Sequence, residues 1–289
     1  MDRKTILITG ASSGIGRETA ISLAKQGHSI IIHGRNPEKT KAVYEEIENI
    51  GGKVAMYTTD LSLISEVKRL ADEIKSKYDR LDVLINNAGG QFGNKREVTA
   101  EGHEKTFAIN TLAPFLLTKL LMELLVKSDS SRVVTVSSES YRQGGQPIWA
   151  DIELEHHYSL TRSYGLSKLY VYWVMRQFAV ELNKAGITNV TVNTVEPGSA
   201  NTNLGRVSAS KGFGRIIYFL WKPMMWSIEK AAATSIYLAT SPEVEGVTGE
   251  FYGNCKRKDI KYKWISEEGQ QRIWDYCFDA CKQYLRQEI

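Results

Sequence analysis

The first 33 residues constrain the fold more than any other stretch. Thr5-Ile6-Leu7-Ile8-Thr9 is a short β-rich apolar run, as a strand buried on both faces requires. It leads into Thr9-Gly10-Ala11-Ser12-Ser13-Gly14-Ile15-Gly16. A helical run from Arg17 to Gln26 follows and stops at Gly27, and Ser29 to His33 is a second apolar strand. Strand, glycine-rich turn, helix and strand make a βαβ unit. Glycines permit a sharp turn and a close approach to a pyrophosphate, and the helix N-terminus offers N–H groups and a positive dipole end. A glycine pattern alone is weak. Its place between an N-terminal strand and a helix makes Gly10, Ser12, Ser13, Gly14, Ile15 and Gly16 a dinucleotide cradle.

The second strand ends at Gly34-Arg35-Asn36. An acidic residue there would accept from an adenosine ribose 2′-hydroxyl, and positions 33–36 hold none. Gly34 leaves room, and Arg35 can pair with a 2′-phosphate; the plainer alternative leaves it in solvent. NADP(H) is therefore expected over NAD(H). Lys39 to Ile50 then reads as a helix broken by Gly51-Gly52, Val54 to Thr58 as a strand, and Ser62 to Tyr78 as an amphipathic helix. Val83-Leu84-Ile85 is a strand ending in Asn86-Asn87-Ala88-Gly89. Ligands sit at strand ends in open parallel sheets, so Asp60 and Asn87-Ala88 are candidate adenine or ribose contacts. Asn86 is a candidate tie between strands.

Farther on, Tyr164 and Lys168 share a helix face. A neighbouring ammonium favours a phenolate and lowers its pKa toward a usable range. By itself the pair is also compatible with an ordinary amphipathic surface. Arg132 to Val136 is a buried strand closed by Ser137-Ser138, and a serine hydroxyl there can donate to a carbonyl oxygen. Asn110 lies inside a helix running from Phe107 to about Val126, where asparagine is intrinsically unfavourable and can hold a kink and an ordered water.

Taken in order, Thr9-Gly10-x-x-x-Gly14-x-Gly16, Asp60-Leu61, Asn86-Asn87-Ala88-Gly89, Asn110, Ser138, Tyr164-x-x-x-Lys168 and Pro197-Gly198 resemble the short-chain dehydrogenase/reductase family over nearly the whole chain. The resemblance implies a single α/β domain over residues 1–289, a Rossmann-type doubly wound sheet of about seven strands. It implies an oxidoreductase interconverting an alcohol and an aldehyde or ketone, with Asn110, Ser138, Tyr164 and Lys168 catalytic. Ser138, the second of the pair, is the family position, and Ser137 the rival. In this scheme Tyr164 protonates the carbonyl oxygen, while Lys168 holds the nicotinamide ribose and depresses the tyrosine pKa. Cofactor contacts extend to Leu61, Gly89, Pro197, Gly198 and Thr202, although Asn201 stands where a basic residue is common. Ser138 and Tyr164 are 26 residues apart, farther than is common in the family, so Gln146 to Ser163 is an insertion. With Gly34-Arg35-Asn36 and Ser167-Lys168-Leu169, that spacing is similar to the retinol dehydrogenase-like branch. Tyr158 has Arg162 at the fourth position and does not fit the motif; packing is expected of it.

Within the segment 199–226, Phe213 to Trp226 is dense in aromatics and methionines. It suits an apolar lid over a lipophilic small-molecule carbonyl or alcohol; a homo-oligomer contact or a peripheral membrane contact through 213–226 is the alternative. The tail, Cys255 to Ile289, carries Lys256-Arg257-Lys258, expected to be a solvated face. Glu267 to Tyr284 reads as an amphipathic helix packing on the lid or the domain edge. A net charge of +4 gives no argument for nucleic acid. The three cysteines form no disulfide framework, and neither Cys277 with Cys281 nor His156-His157 has the partners of a metal site. No secretory run is read, and the greasy stretch Leu112 to Val126 is interrupted by Lys119 and Glu123, so a cytoplasmic setting is expected. A nucleotide-binding protein without chemistry is disfavoured because all four catalytic positions are filled. An epimerase would carry a larger C-terminal domain, and an enoyl reductase a shifted Tyr–Lys spacing.

Overall fold

The computed structural model describes residues 3–198 and 226–285. Its strands are β1 (Thr5–Ile8), β2 (Ser29–Gly34), β3 (Lys53–Thr58), β4 (Val83–Asn86), β5 (Ser131–Val136), β6 (Val190–Glu196), β7 (Phe251–Gly253) and β8 (Lys256–Arg257). They form one sheet in the order β3-β2-β1-β4-β5-β6-β7-β8. Every pairing is parallel except β7 with β8. The sheet thus has the expected parallel strands plus a two-residue antiparallel edge. Strand order reverses between β1 and β4, and ligands of open α/β sheets bind in the crevice at such a point.

Helices cover both faces, which is why the strands read as continuous apolar runs. Successive side chains of β1 alternate: Leu7 joins one core, and Ile6 and Ile8 join the other. The second core is closed by α1 (Gly14–Lys25), α2 (Pro37–Asn49) and α6 (Ile228–Thr240), through Leu23, Val43 and Leu238. The first is closed by α3 (Ile64–Lys75), α4 (Lys105–Leu125), α5 (Leu160–Lys184) and α7 (Glu267–Leu285). α4 is long and apolar enough to cross a membrane, but 78% of its most apolar window is buried inside the protein, as in a core helix. The terminal helix α7 packs into the core, with Trp274 edge-on to Phe115 of α4 and Phe178 of α5 at 5.2 and 4.7 Å. Cys277 and Cys281 are buried there.

Helix boundaries follow their caps. Asn36 accepts from Lys39 N with Pro37 at the first position of α2, so that helix begins earlier than its periodicity suggests. Ser227 and Ser159 cap α6 and α5 in the same way. α4 is not uniform: Ala108–Leu112 is a π-helical turn with Asn110 in it, a type of bulge that recurs at functional sites.

Candidate active site

A cleft of about 550 Å³ opens along the strand ends. At its outer end lies the turn between β1 and α1. Gly10 has φ +67°, and a Cβ there would come within 2.8 Å of Ala88 Cα. Asn87 clamps the turn: its Nδ2 donates to Thr9 O and Gly10 O at 2.9 and 3.2 Å. Thr9 Oγ1 accepts from the amides of Asn87 and Ala88, both at 3.0 Å. The first turn of α1 has neither an acidic residue nor a side-chain cap, which leaves helix N-terminal N–H groups for an anionic ligand. Gly10, Ser12, Ser13, Gly14, Ile15 and Gly16 all line the cleft. With the uncapped N-terminus of α1 beside it, this turn fits the diphosphate of a dinucleotide.

Arg35, Asp60, Leu61, Asn87, Ala88 and Gly89 also border the cleft. Arg35 is largely exposed, 3.9 Å from the Asp60 carboxylate. Asp60 Oδ1 accepts from Ser62 N and Oγ at 3.0 and 2.8 Å, which holds the turn after β3. Asn86 is turned away, tying Thr118 and Thr135 from within the core at 3.0 and 3.2 Å. His33 belongs to none of the sequence motifs. It is buried, its Nδ1 accepts from Gly10 N at 3.4 Å, and its Nε2 lies 3.1 Å from Thr59 O. Burial pushes its pKa down to about 4, so the neutral ring bridges the turn and β3. A histidine ending an apolar strand was the available signal.

At the inner end, Ser138, Tyr164 and Lys168 meet, beside Pro197 and Gly198. Ser138 Oγ accepts from Ser140 N at 3.1 Å and donates to Ser140 Oγ at 3.1 Å. Ser137, the rival, is buried and donates to Lys168 O at 2.8 Å. Lys168 is buried; its Nζ donates to Val136 O at 3.0 Å and lies 5.7 Å from the Tyr164 ring centroid. Burial lowers its pKa to about 8. The Tyr164 pKa is raised by burial, with Ser138 opposing. This corrects the expected lowering: the ammonium lies over the ring, and desolvation of the phenolate dominates.

Asn110 does not border the cleft. Its Nδ2 donates to Gly90 O and Ser167 Oγ, both at 2.9 Å, and its Oδ1 accepts from Gly90 N at 2.9 Å. The amide therefore pins the loop after β4 to α5, one residue from Lys168. Tyr158 donates to Gly93 O at 2.9 Å, as a packing residue would. In the insertion, His157 Nδ1 lies 2.7 Å from Asp151 Oδ2. No group of three or more His, Cys, Asp or Glu among the described residues is placed to hold a metal. Thr202 lies outside the described residues, as does the segment 213–226 apart from Trp226.

A family model described as short chain dehydrogenase matches residues 4–211. Retinol dehydrogenase 14 of Mus musculus is 37% identical over 291 residues, covering 95% of this chain and 85% of its own. Polyprenol dehydrogenase of Homo sapiens is 33% identical, covering 94% of this chain and 83% of its own. Among solved structures, a Shigella flexneri protein assigned to the short chain dehydrogenases and complexed with NADP is similar with TM-score 0.69 and 27% identity, covering 89% of this chain and 98% of that one. With that family model over most of the chain and these relatives over nearly all of it, this chain belongs to the short-chain dehydrogenase/reductase family, in its retinol dehydrogenase-like branch.

Proposed function

We propose that this protein interconverts a lipophilic alcohol and the corresponding aldehyde or ketone, with NADP(H) as its cofactor. The observation that carries the reading is the convergence of Ser138, Tyr164 and Lys168 at one end of a cleft whose other end is the glycine cradle. When bound, NADP(H) supplies or takes up the hydride. In the reducing direction the Tyr164 hydroxyl gives its proton to the carbonyl oxygen. A raised pKa keeps that proton on the phenol until it is needed. Ser138 Oγ donates to the same oxygen, stabilising the charge that develops there. Lys168, buried beside Tyr164 with its Nζ 5.7 Å from the ring centroid, would hold the nicotinamide ribose of the bound cofactor. Asn110 keeps α5 and the Gly90 loop in register.

Arg35 and the absence of an acid at positions 33–36 support NADP(H), as does the NADP complex of the Shigella flexneri relative. Ile109 and Phe92 on the cleft wall support an apolar substrate, as do relatives named for retinol and polyprenol. The deciding experiment replaces Tyr164 by Phe, which keeps the ring and removes the transferable proton. Turnover with NADPH should fall by about 10²–10⁴-fold, with NADPH binding retained. Turnover within about threefold of wild type would refute the assignment.

A further inference from the structure

We propose that Lys258 is a positioning residue that sets Ser138 against Tyr164, one ammonium tying together the two walls of the inner cleft. This rests on the roles given above to Ser138 and Tyr164. Lys258 Nζ donates to Glu196 Oε1 at 2.7 Å and to Glu139 Oε1 at 3.1 Å. Glu196, 5% exposed, ends β6, and its Oε2 accepts from Gly198 N at 2.7 Å. One wall of the cleft, the Pro197-Gly198 turn, is therefore fixed through Glu196. Glu139 directly follows Ser138 and begins a short 3₁₀ turn, Glu139–Gln143, whose N-cap is Ser138 itself. The other wall is fixed through Glu139.

The surroundings are built to admit this bridge. Gly253 of β7 lacks a side chain where the ion pair passes: a Cβ there would lie 2.9 Å from Lys258 Cε and collide with the Glu196 carboxylate. The segment after β8 also grips the 3₁₀ turn and the residues following it. Arg142 Nη1 donates to Lys261 O at 2.8 Å, and Tyr262 OH donates to Gly145 O at 3.2 Å. Those residues in turn sit on α5. A Cβ on Gly144 would lie 2.6 Å from Leu166 N, and one on Gly165 would lie 2.8 Å from Ser140 O. Tyr164 adjoins that contact. Lys256 and Arg257 are exposed, as expected of a solvated basic run, whereas Lys258 is half-buried and bonded to two carboxylates. An exposed ion pair would contribute little. Here one partner is buried, and removing Lys258 strands its charge.

The test measures amide hydrogen exchange and steady-state kinetics in Lys258→Met, Lys258→Arg and, as a control, Lys256→Met. A double variant, Lys258→Met with Glu196→Gln, removes both charges and so keeps a folded protein available. We expect the amides of Ser140, Tyr141 and Gly198 to exchange at least about tenfold faster in Lys258→Met and in the double variant. Arginine should restore protection, and Lys256→Met should match wild type. The same variants should lose about tenfold in kcat while KM for NADPH stays within about twofold, because the adenosine end is untouched. Unchanged exchange, or lost protection with kcat kept within about twofold, would overturn the inference. A wild type without NADPH-dependent carbonyl turnover would instead refute the function proposed above.

Discussion

Arg35 holds the only charge the sequence places at the end of β2, and the structure leaves it exposed, with an Asp60 contact of 3.9 Å. A pair that open to water is worth little, so a phosphate can displace Asp60 as its partner. Arg35→Asp removes the phosphate partner and supplies a ribose acceptor. Affinity for NADPH should fall by the worth of a charge-assisted hydrogen bond, about 1.5–3 kcal/mol, while NADH is gained. Unchanged NADPH affinity in a titration would show that another group reads the phosphate. Arg35, the glycines and the Tyr164–Lys168 pair are legible because each stands in a local pattern. Asn110 is legible as a position, but its bonds to Gly90 and Ser167 are not, since they join segments far apart in the chain. His33 and Lys258 look ordinary in sequence for the same reason: their partners, Gly10 with Thr59 and Glu139 with Glu196, are brought to them only by the sheet.

Elements were legible where one periodicity dominates. The strands and helices from β1 through β4 follow their apolar patterns, with ends shifted by caps such as Asn36 and Pro37. The π-helical turn at Ala108–Leu112 is not written in periodicity, because a single extra residue in a turn leaves the apolar face nearly continuous. Nor is the seat of the Ser138–Gly145 segment on α5, which depends on two glycines far apart in the sequence meeting backbone to backbone. That seat predicts a specific weakness. Gly144 has φ −67°, where alanine is conformationally welcome, and alanine ordinarily stabilises such a site through the unfolded chain. Here the added Cβ would stand 2.6 Å from Leu166 N and 2.8 Å from Gly165 C. Gly144→Ala should therefore destabilise the fold by about 1–3 kcal/mol, as overpacking does. It should also lower kcat, because Ser138 and Tyr164 are held on the two sides of that contact. A variant melting at or above the wild-type temperature would show that the segment can lift off α5 without cost.

At the scale of the whole molecule, the sheet's strand-order reversal places the cradle and the Tyr–Lys helix along one cleft, with Phe92 and Ile109 on its wall. Nearby, the Trp226 ring covers Gly198, where a Cβ would come within 2.6 Å of the ring. α7 packs into the core, where the sequence leads one to expect the lid or the domain edge, since Ile273, Trp274, Cys277 and Cys281 are all buried against α4 and α5. For the substrate class proposed above, the apolar wall formed by Phe92 and Ile109 should reward apolar length. Each methylene transferred from water to such a wall is worth about 0.8 kcal/mol, close to fourfold in affinity. Across a homologous series of straight-chain aldehydes, kcat/KM should climb by about that factor per carbon until the wall is covered. Phe92→Ala removes part of the wall without touching Ser138, Tyr164 or Lys168. It should flatten the series at the longer chain lengths and leave the shortest aldehydes close to wild type. A series already flat in the wild type would count against a lipophilic substrate, and a series that stays steep in Phe92→Ala would move the apolar contact to another part of the chain.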